Sequence, residues 1–131
     1  MTIPPPEPSL DDEERAALVK GIGEFNAGLF FECHDTLEDM WAGVRGPSRD
    51  FFQGLIQVSV AYYHLGNGNA AGAQSMMRRA LKRFARYPAR YCGFDVDGQR
   101  GRLLQWLERF ASGAGAATAA DQPRWHFEGI T

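Results

Sequence analysis

The segment from residue 49 to 66 constrains the fold more than any other part of the chain. A helix on the surface of a globular protein is apolar along one stripe, whereas a helix that is apolar on all sides is buried among other helices. Glycine and proline before this segment, and Gly66 at its end, separate it from its neighbours. It therefore predicts a central buried helix. Its apolar side chains cover nearly the whole circumference: Phe51, Phe52, Leu55, Ile56, Val58, Val60, Tyr62, Tyr63 and Leu65.

Four further helices are predicted around this central one. Apolar residues at helical spacing, together with glycine and proline stop signals, indicate helices over about 10–27, 30–43, 70–87 and 96–110. Ser9 and Asp12 resemble a capping box before the first of them, Asn69 is a candidate N-cap for the fourth helix, and either Asp95 or Asp97 can begin the fifth. No alternating run of β-branched residues is long enough to build a sheet. We therefore predict an all-α fold, a single-domain bundle of about five helices.

Composition divides the chain into three parts. Residues 1–9 form a proline-rich N-terminal extension, residues 10–111 the helical domain, and residues 112–131 a C-terminal tail whose first half is rich in glycine and alanine. Such low-complexity sequence favours flexibility, so the tail is predicted to be flexible. A total of 131 residues is an ordinary size for one domain with its own hydrophobic core.

Composition also excludes several classes of protein. Hydrophobic residues make up 44% of the chain and no apolar run is long enough to span a bilayer, so no membrane partner is expected. The N-terminus lacks the basic and apolar regions of a secretory signal, which predicts a cytoplasmic location. Cys33 and Cys92 have no second pair of cysteines near them, so we expect free thiols instead of a disulfide framework or a zinc knuckle.

Charge is distributed unevenly along the chain. Residues 1–40 hold ten acids and two bases, while the fourth helix and the residues after it form a basic run without acids: Arg78, Arg79, Lys82, Arg83, Arg86 and Arg90. Such a run can bind phosphates, but few aromatic residues accompany it. We expect these bases to be solvated or paired with acids, and nucleic acid is not an expected partner. The aromatic residues near the C-terminus favour a homodimer.

Two predicted helices carry polar residues on faces that are otherwise apolar. On the second helix, His34, Glu38 and Trp41 fall within about 60° of one another. On the third, Gln53, Gln57 and His64 share one stripe of about 40°. A short connection between two helices favours antiparallel packing, which would bring the two stripes together. We therefore predict that a His/Glu/Gln/Trp cluster lies between helices two and three.

This cluster is open to several interpretations. It could be a structural hydrogen-bond network that sets the helix register. It could bind a small polar ligand or a divalent metal ion, with His34, Glu38 and His64 as metal ligands, since two imidazoles and a carboxylate suit zinc or ferrous iron. It could also be an acid–base site in which Glu38 raises the pKa of a histidine. Familiar catalytic motifs are absent from the sequence, so the catalytic residues and the reaction, if any, stay unknown.

Several motifs resemble the prokaryotic family called domain of unknown function 309. They are Phe25-Asn26-x-Gly28-x-Phe30-Phe31-Glu32-x-His34-x-x-Leu37-Glu38-x-x-Trp41, Arg49-x-Phe51-Phe52-Gln53-Gly54-Leu55-Ile56-Gln57, Ala61-x-Tyr63-His64, Gly66-Asn67, Gly72-Ala73 before Ala80-Leu81, and Tyr91-x-Gly93-Phe94-Asp95. The resemblance implies a small all-helical domain whose activity is unassigned. This sequence has aspartate at position 35, where the family often looks to have glutamate. The helix pairs also faintly resemble tetratricopeptide units, although their spacing is nearer 40 residues than about 34.

Our sequence-based hypothesis is therefore that the chain binds a metal ion or a small polar ligand through the His/Glu/Gln/Trp cluster. The alternative is a helical protein-interaction module in which the cluster is purely structural.

Overall fold

Five α-helices and one short β-hairpin make up the described part of the fold. The computed structural model describes residues 3–113 and 123–127. The helices are α1 (Asp12–Asn26), α2 (Phe30–Trp41), α3 (Arg49–Gly66), α4 (Ala70–Phe84) and α5 (Val96–Ala111). Strands β1 (Arg90–Tyr91) and β2 (Phe94–Asp95) pair antiparallel between α4 and α5. The predicted predominantly all-α fold is confirmed. Within the described residues, no helix combines the length and the hydrophobicity needed to cross a lipid bilayer.

The β-hairpin corrects the prediction of a plain loop after the fourth helix. Its turn residues Cys92 and Gly93 both have positive φ, at 51° and 78°. Two successive residues with positive φ match the twist of the strands that flank a two-residue turn. Each strand has only two residues, so no alternating pattern could reveal it in the sequence.

Helix α3 is the centre of the core, as predicted. It packs against α2 on one side and α4 on the other, while α1 contacts α2 and α5 contacts α4. Ten of its residues are buried, and the ring of the fully buried Phe51 packs against five other aromatic rings. A Cβ atom at Gly54 would lie 2.7 Å from Cε1 of Phe84. The absence of a side chain at Gly54 therefore lets α4 approach α3 closely.

The helix ends follow the cap signals with one correction. The capping box of α1 is formed by Asp11 and Glu14, whose side chains accept hydrogen bonds of 2.7 Å and 3.0 Å from each other's backbone N–H, and not by Ser9 and Asp12. The helix begins two residues later than expected, and its first turn is acidic. Asn69 caps α4, and Asp95 caps α5. The side chain of each cap accepts a hydrogen bond from the N–H of the third residue of its helix, Gly72 or Gly98.

Both terminal segments contact the helical body where they are described. Near the N-terminus, the hydroxyl of Tyr91 donates to the carbonyl oxygen of Pro6 at 2.6 Å. Near the C-terminus, the ring of Trp125 stacks on Phe25 with a centroid separation of 3.7 Å and an angle of 3°. The rest of the predicted flexible tail, residues 114–122 and 128–131, lies outside the described residues, and its flexibility stays a prediction.

Candidate functional site

Helices α2 and α3 pack antiparallel, which is the arrangement that the cluster hypothesis required. At one end, the indole N–H of Trp41 donates to the carbonyl oxygen of Arg49 at 3.0 Å. At the other end, the rings of Phe31 and Tyr63 lie 5.4 Å apart. The start of one helix thus faces the end of the other. The six predicted site residues nevertheless do not form one cluster. Four of them make contacts in three separate places, while His64 contacts Asn69 and Gln53 lines a cleft.

His34 and Glu38 form the first of these places. Nε2 of His34 is 2.7 Å from a carboxylate oxygen of Glu38, one turn further along α2. Nδ1 of His34 is 3.3 Å from Oδ1 of Asp35, so both ring nitrogens face a carboxylate. One ligand atom from each of these three residues lies within 4.8 Å of the others. The group is accessible, since the carboxylate side chains are 60% and 54% exposed.

His64 lies outside this group and makes different contacts. Its Nδ1 is 3.2 Å from the side-chain amide nitrogen of Asn69, the residue that caps α4. Among the described residues, the potential metal ligands that meet the 4.8 Å distance are those of His34, Asp35 and Glu38 alone. The structure therefore brings together two of the three predicted metal ligands and replaces His64 with Asp35. His64 lies in the last turn of α3, next to the residue that caps α4.

Trp41 occupies the second place, where it is tied to the start of α3. The guanidinium group of Arg49 lies 3.7 Å from the centre of the Trp41 ring. The same arginine donates to the carbonyl oxygens of Trp41 and Val44 at 2.9 Å and 2.7 Å. These bonds reach carbonyl groups at and just beyond the end of α2, where the carbonyl of Trp41 also accepts from the N–H of Val44. Arg49 and Trp41 together hold the connection between α2 and α3 in one conformation.

Gln57 forms the third place, with a partner that was not predicted. Although Gln57 is only 6% exposed, its side-chain oxygen accepts a bond of 3.1 Å from Nε of Arg83 on α4. The guanidinium group of Arg83 also donates to a carboxylate oxygen of Asp50. Nε of Arg86 lies 3.9 Å from the other oxygen of Asp50. Gln57 is thus part of a network between α3 and α4, not between α2 and α3.

Two of the three places border one open cleft, which we call the arginine cleft. Its volume is about 440 Å³, within the range of small-molecule sites. Its lining includes three guanidinium groups, of Arg49, Arg83 and Arg86, and one carboxylate, of Asp50. The lining therefore carries a net positive charge. An arrangement of this kind can bind a carboxylate or a phosphate. The lining residues are Trp41, Gly46, Pro47, Arg49, Asp50, Gln53, Arg83 and Arg86.

Sequence reasoning missed four charged residues of this cleft as site residues. Arg83 and Arg86 were recognised as part of the basic run, and their proximity to Asp50 agrees with the expectation that such bases pair with acids. Arg49 and Asp50 follow the break at Gly46 and Pro47, and nothing in their spacing indicates a site. The useful signal was the basic run itself, because two bases three residues apart share a helix face.

The two thiols are poor candidates for a nucleophile. Burial raises the pKa of Cys33 to about 12, and burial likewise raises the pKa of Cys92 to about 12. A thiol reacts as its thiolate, which such a pKa makes scarce at neutral pH. Both cysteines are free, as the sequence predicted.

Comparison with known proteins finds a family model that matches part of the chain and two uncharacterised relatives. The model of the family described as "Domain of unknown function (DUF309)" matches residues 18–76. An uncharacterised protein of Bacillus subtilis (strain 168), YpuF, is 35% identical over 94 residues, which are 70% of this chain and 53% of that protein. An uncharacterised protein of Aquifex aeolicus (strain VF5) is 25% identical over 84 residues, 63% of this chain and 25% of that protein. This chain therefore aligns with only about half of the first relative and a quarter of the second. Residues 18–76 of this chain belong to the DUF309 family, as the motifs predicted.

Proposed function

We propose that this chain binds a small polar ligand through an anionic group, a carboxylate or a phosphate, in the arginine cleft. The observation that carries the proposal is the set of three guanidinium groups around a cleft of about 440 Å³ that contains one carboxylate. Trp41 and Gln53, two residues of the sequence-based hypothesis, line the same cleft. In this proposal the ligand contacts two residues of the predicted cluster, Trp41 at the C-terminal end of α2 and Gln53 on α3.

The arginines differ in how they would serve the ligand. Arg83 is held by Gln57 and Asp50, so its orientation is set before a ligand arrives, which reduces the entropy lost on binding. Arg86 is freer, because its side chain is 64% exposed and its Nε is 3.9 Å from Asp50. Arg86 can therefore turn toward an anion at small cost. Asp50 opposes binding, since it is a carboxylate beside the same guanidinium groups.

The test is a titration of the full chain with inorganic phosphate and with acetate at constant ionic strength, followed by calorimetry. Arg86→Ala should weaken binding about tenfold, and Asp50→Asn should strengthen it, because the competing carboxylate is lost. Arg78→Ala is the matched control, since Arg78 is an exposed arginine of α4 that bonds to Gln74. Absence of saturable binding, or equal losses in the Arg78 and Arg86 variants, would contradict the proposal.

A metal ion bound by His34, Asp35 and Glu38 is a second candidate function. It is supported by the three ligand atoms that lie within 4.8 Å of one another, and one imidazole with two carboxylates suits zinc or ferrous iron with open positions. Metal binding would displace the bond between His34 and Glu38. Zn²⁺ should raise the unfolding temperature of the wild-type protein and of Glu32→Gln, but not of Glu38→Gln. An equal response in all three proteins would refute a site at this group.

A protein contact, with a second copy of the chain as the partner, is the alternative role. It is supported by an exposed apolar patch: Leu29 and Phe31 are each 48% exposed, and Tyr63 is 40% exposed. Light scattering should then detect a dimer that Phe31→Ser dissociates, and a monomeric wild-type protein would exclude it.

We also propose that the protein works in the cytoplasm, since a reducing compartment suits two unpaired cysteines.

A further inference from the structure

A second cavity lies beneath Trp125, and it shares no lining residue with the arginine cleft. Its volume is about 70 Å³. Its walls come from α3, from α5 and from residues 123–126, and they include Tyr62, Gln99 and Arg102. The backbone of Trp125 is fixed at this place, because its N–H donates to the side chain of Asn26 at 2.7 Å and its carbonyl accepts from the same side chain at 3.1 Å.

Two residues that line this cavity have buried polar atoms without a hydrogen-bond partner in the described part of the chain. They are the hydroxyl of Tyr62 and the side-chain oxygen of Gln99. Tyr62 is only 3% exposed, so bulk water does not compensate its hydroxyl. An uncompensated polar group inside a protein is costly and calls for a binding partner. The hydroxyl can donate a hydrogen bond and the amide oxygen accepts one, so a ligand that carries both an acceptor and a donor can satisfy the two atoms.

The charges around the cavity are also of both signs. Burial raises the pKa of Tyr62 to about 12, while the positive charge of Arg102 and the side chain of Trp106 act against this rise, so the hydroxyl keeps its proton at neutral pH. The indole N–H of Trp106 can only donate, so the proton of the Tyr62 hydroxyl still needs an acceptor. Arg102 lines the same cavity. Asp95, which also lines the cavity, supplies a carboxylate that accepts a bond from the N–H of Gly98 at 3.0 Å.

We propose that this cavity binds glycine, the smallest zwitterionic amino acid. Its carboxylate would accept hydrogen bonds from Tyr62 and Arg102, and its ammonium group would donate to Gln99 and Asp95. Both orphaned atoms would then be satisfied by one molecule. The volume of about 70 Å³ sets an upper limit on the size of the ligand, because it is about half of the roughly 150 Å³ apolar cavity that holds benzene.

The experiment uses the full chain and titrates it with glycine, L-alanine, acetate and methylammonium at constant ionic strength. Trp125 forms one wall of the cavity, so tryptophan fluorescence reports occupancy, and calorimetry reports the affinity. We expect saturable binding of glycine and weaker binding of L-alanine, whose methyl group needs more space. Acetate and methylammonium should bind at least about tenfold more weakly than glycine, because each carries half of the required groups. L-leucine should not bind, because its side chain exceeds the cavity.

Two variants separate this site from general effects of the solutes. Tyr62→Phe should weaken glycine binding about tenfold without lowering the stability of the free protein, because it removes an uncompensated hydroxyl and keeps the ring. Tyr63→Phe is the matched control, since Tyr63 is the next residue of α3, is 40% exposed and does not line the cavity. A response that only rises linearly with glycine would indicate solute exclusion and would overturn the proposal. So would equal binding in the two variants, or acetate binding as tight as glycine binding. None of these results bears on the arginine cleft.

Discussion

The bond between Arg83 and Gln57 is the contact whose removal best tests whether the polar residues of α3 stabilise the fold. Gln57 is 6% exposed, and Nε of Arg83 is the donor to its side-chain oxygen at 3.1 Å. Arg83→Met keeps most of the aliphatic chain and removes this donor. The side-chain oxygen of Gln57 then has no partner while it stays buried.

The expected cost follows from the burial of each partner. A buried acceptor without a donor costs about 1–3 kcal/mol. The ion pair of Arg83 with Asp50 adds at most about 1 kcal/mol, because its side chains are 36% and 28% exposed and water screens their charges. We therefore expect Arg83→Met to lower the free energy of unfolding by about 2–3 kcal/mol. Replacing Gln57 by leucine as well removes the buried oxygen, so Arg83→Met should cost about 1–2 kcal/mol less in that background.

The assay is equilibrium unfolding in urea, followed by circular dichroism, of the wild-type protein, both single variants and the double variant at pH 7. Arg86→Met is the control, since Arg86 is 64% exposed and its loss should change stability by less than about 0.5 kcal/mol. If Arg83→Met costs the same with glutamine or leucine at position 57, the two side chains are not coupled and the reasoning is wrong.

Two further predictions concern the core. Gly54→Ala should lower the free energy of unfolding by about 1–3 kcal/mol, because its Cβ atom would lie 2.7 Å from Phe84. Gly101→Ala should raise it by about 0.5–1 kcal/mol, because a Cβ atom there would have no neighbour within 4 Å. Comparable urea midpoints for the two variants would contradict this prediction. Stability should also fall with increasing pH from about 9 toward 12, because burial raises the pKa of Cys33 from 9.0 and of Tyr62 from 10.0 to about 12 in the folded protein. Below about pH 8 both groups stay protonated in either state and contribute no pH dependence. At higher pH the unfolded chain releases protons that the folded chain retains, so urea midpoints measured from pH 7 to about 11 should decline, and less steeply for a Tyr62→Phe, Cys33→Ala double variant.

The fold was predictable from the sequence because its signals are local and repeated. The apolar circumference of α3 indicated its central position, and Asn69 and Asp95 marked two helix starts through bonds that span three residues. The hairpin escaped prediction, since two residues per strand leave no periodicity. The capping box was predicted at Ser9, two residues before its observed position at Asp11. Both residues are good N-caps, and which of them begins the helix depends on how the helix packs.

The candidate site was predictable only in part. Helical spacing correctly placed His34 and Glu38 one turn apart, in contact at 2.7 Å, because that distance depends on one helix alone. Helical spacing could not indicate that Gln57 accepts a hydrogen bond from Arg83 on α4, 26 residues away, or that His64 contacts Asn69. Those contacts depend on the rotation of each helix about its axis, which the packing of three helices decides.

The sequence by itself determined the number of helices, the burial of α3 and the family of residues 18–76, since each of these depends on the order of residue types along the chain. The tertiary structure alone decided which polar groups share a site. It joined Arg83 to Asp50 across α3 and α4, and it set Trp125 over the cavity of Tyr62, 63 residues away. Such pairings arise when apolar faces pack at a particular angle, and the angle depends on the shapes of all the side chains in the interface.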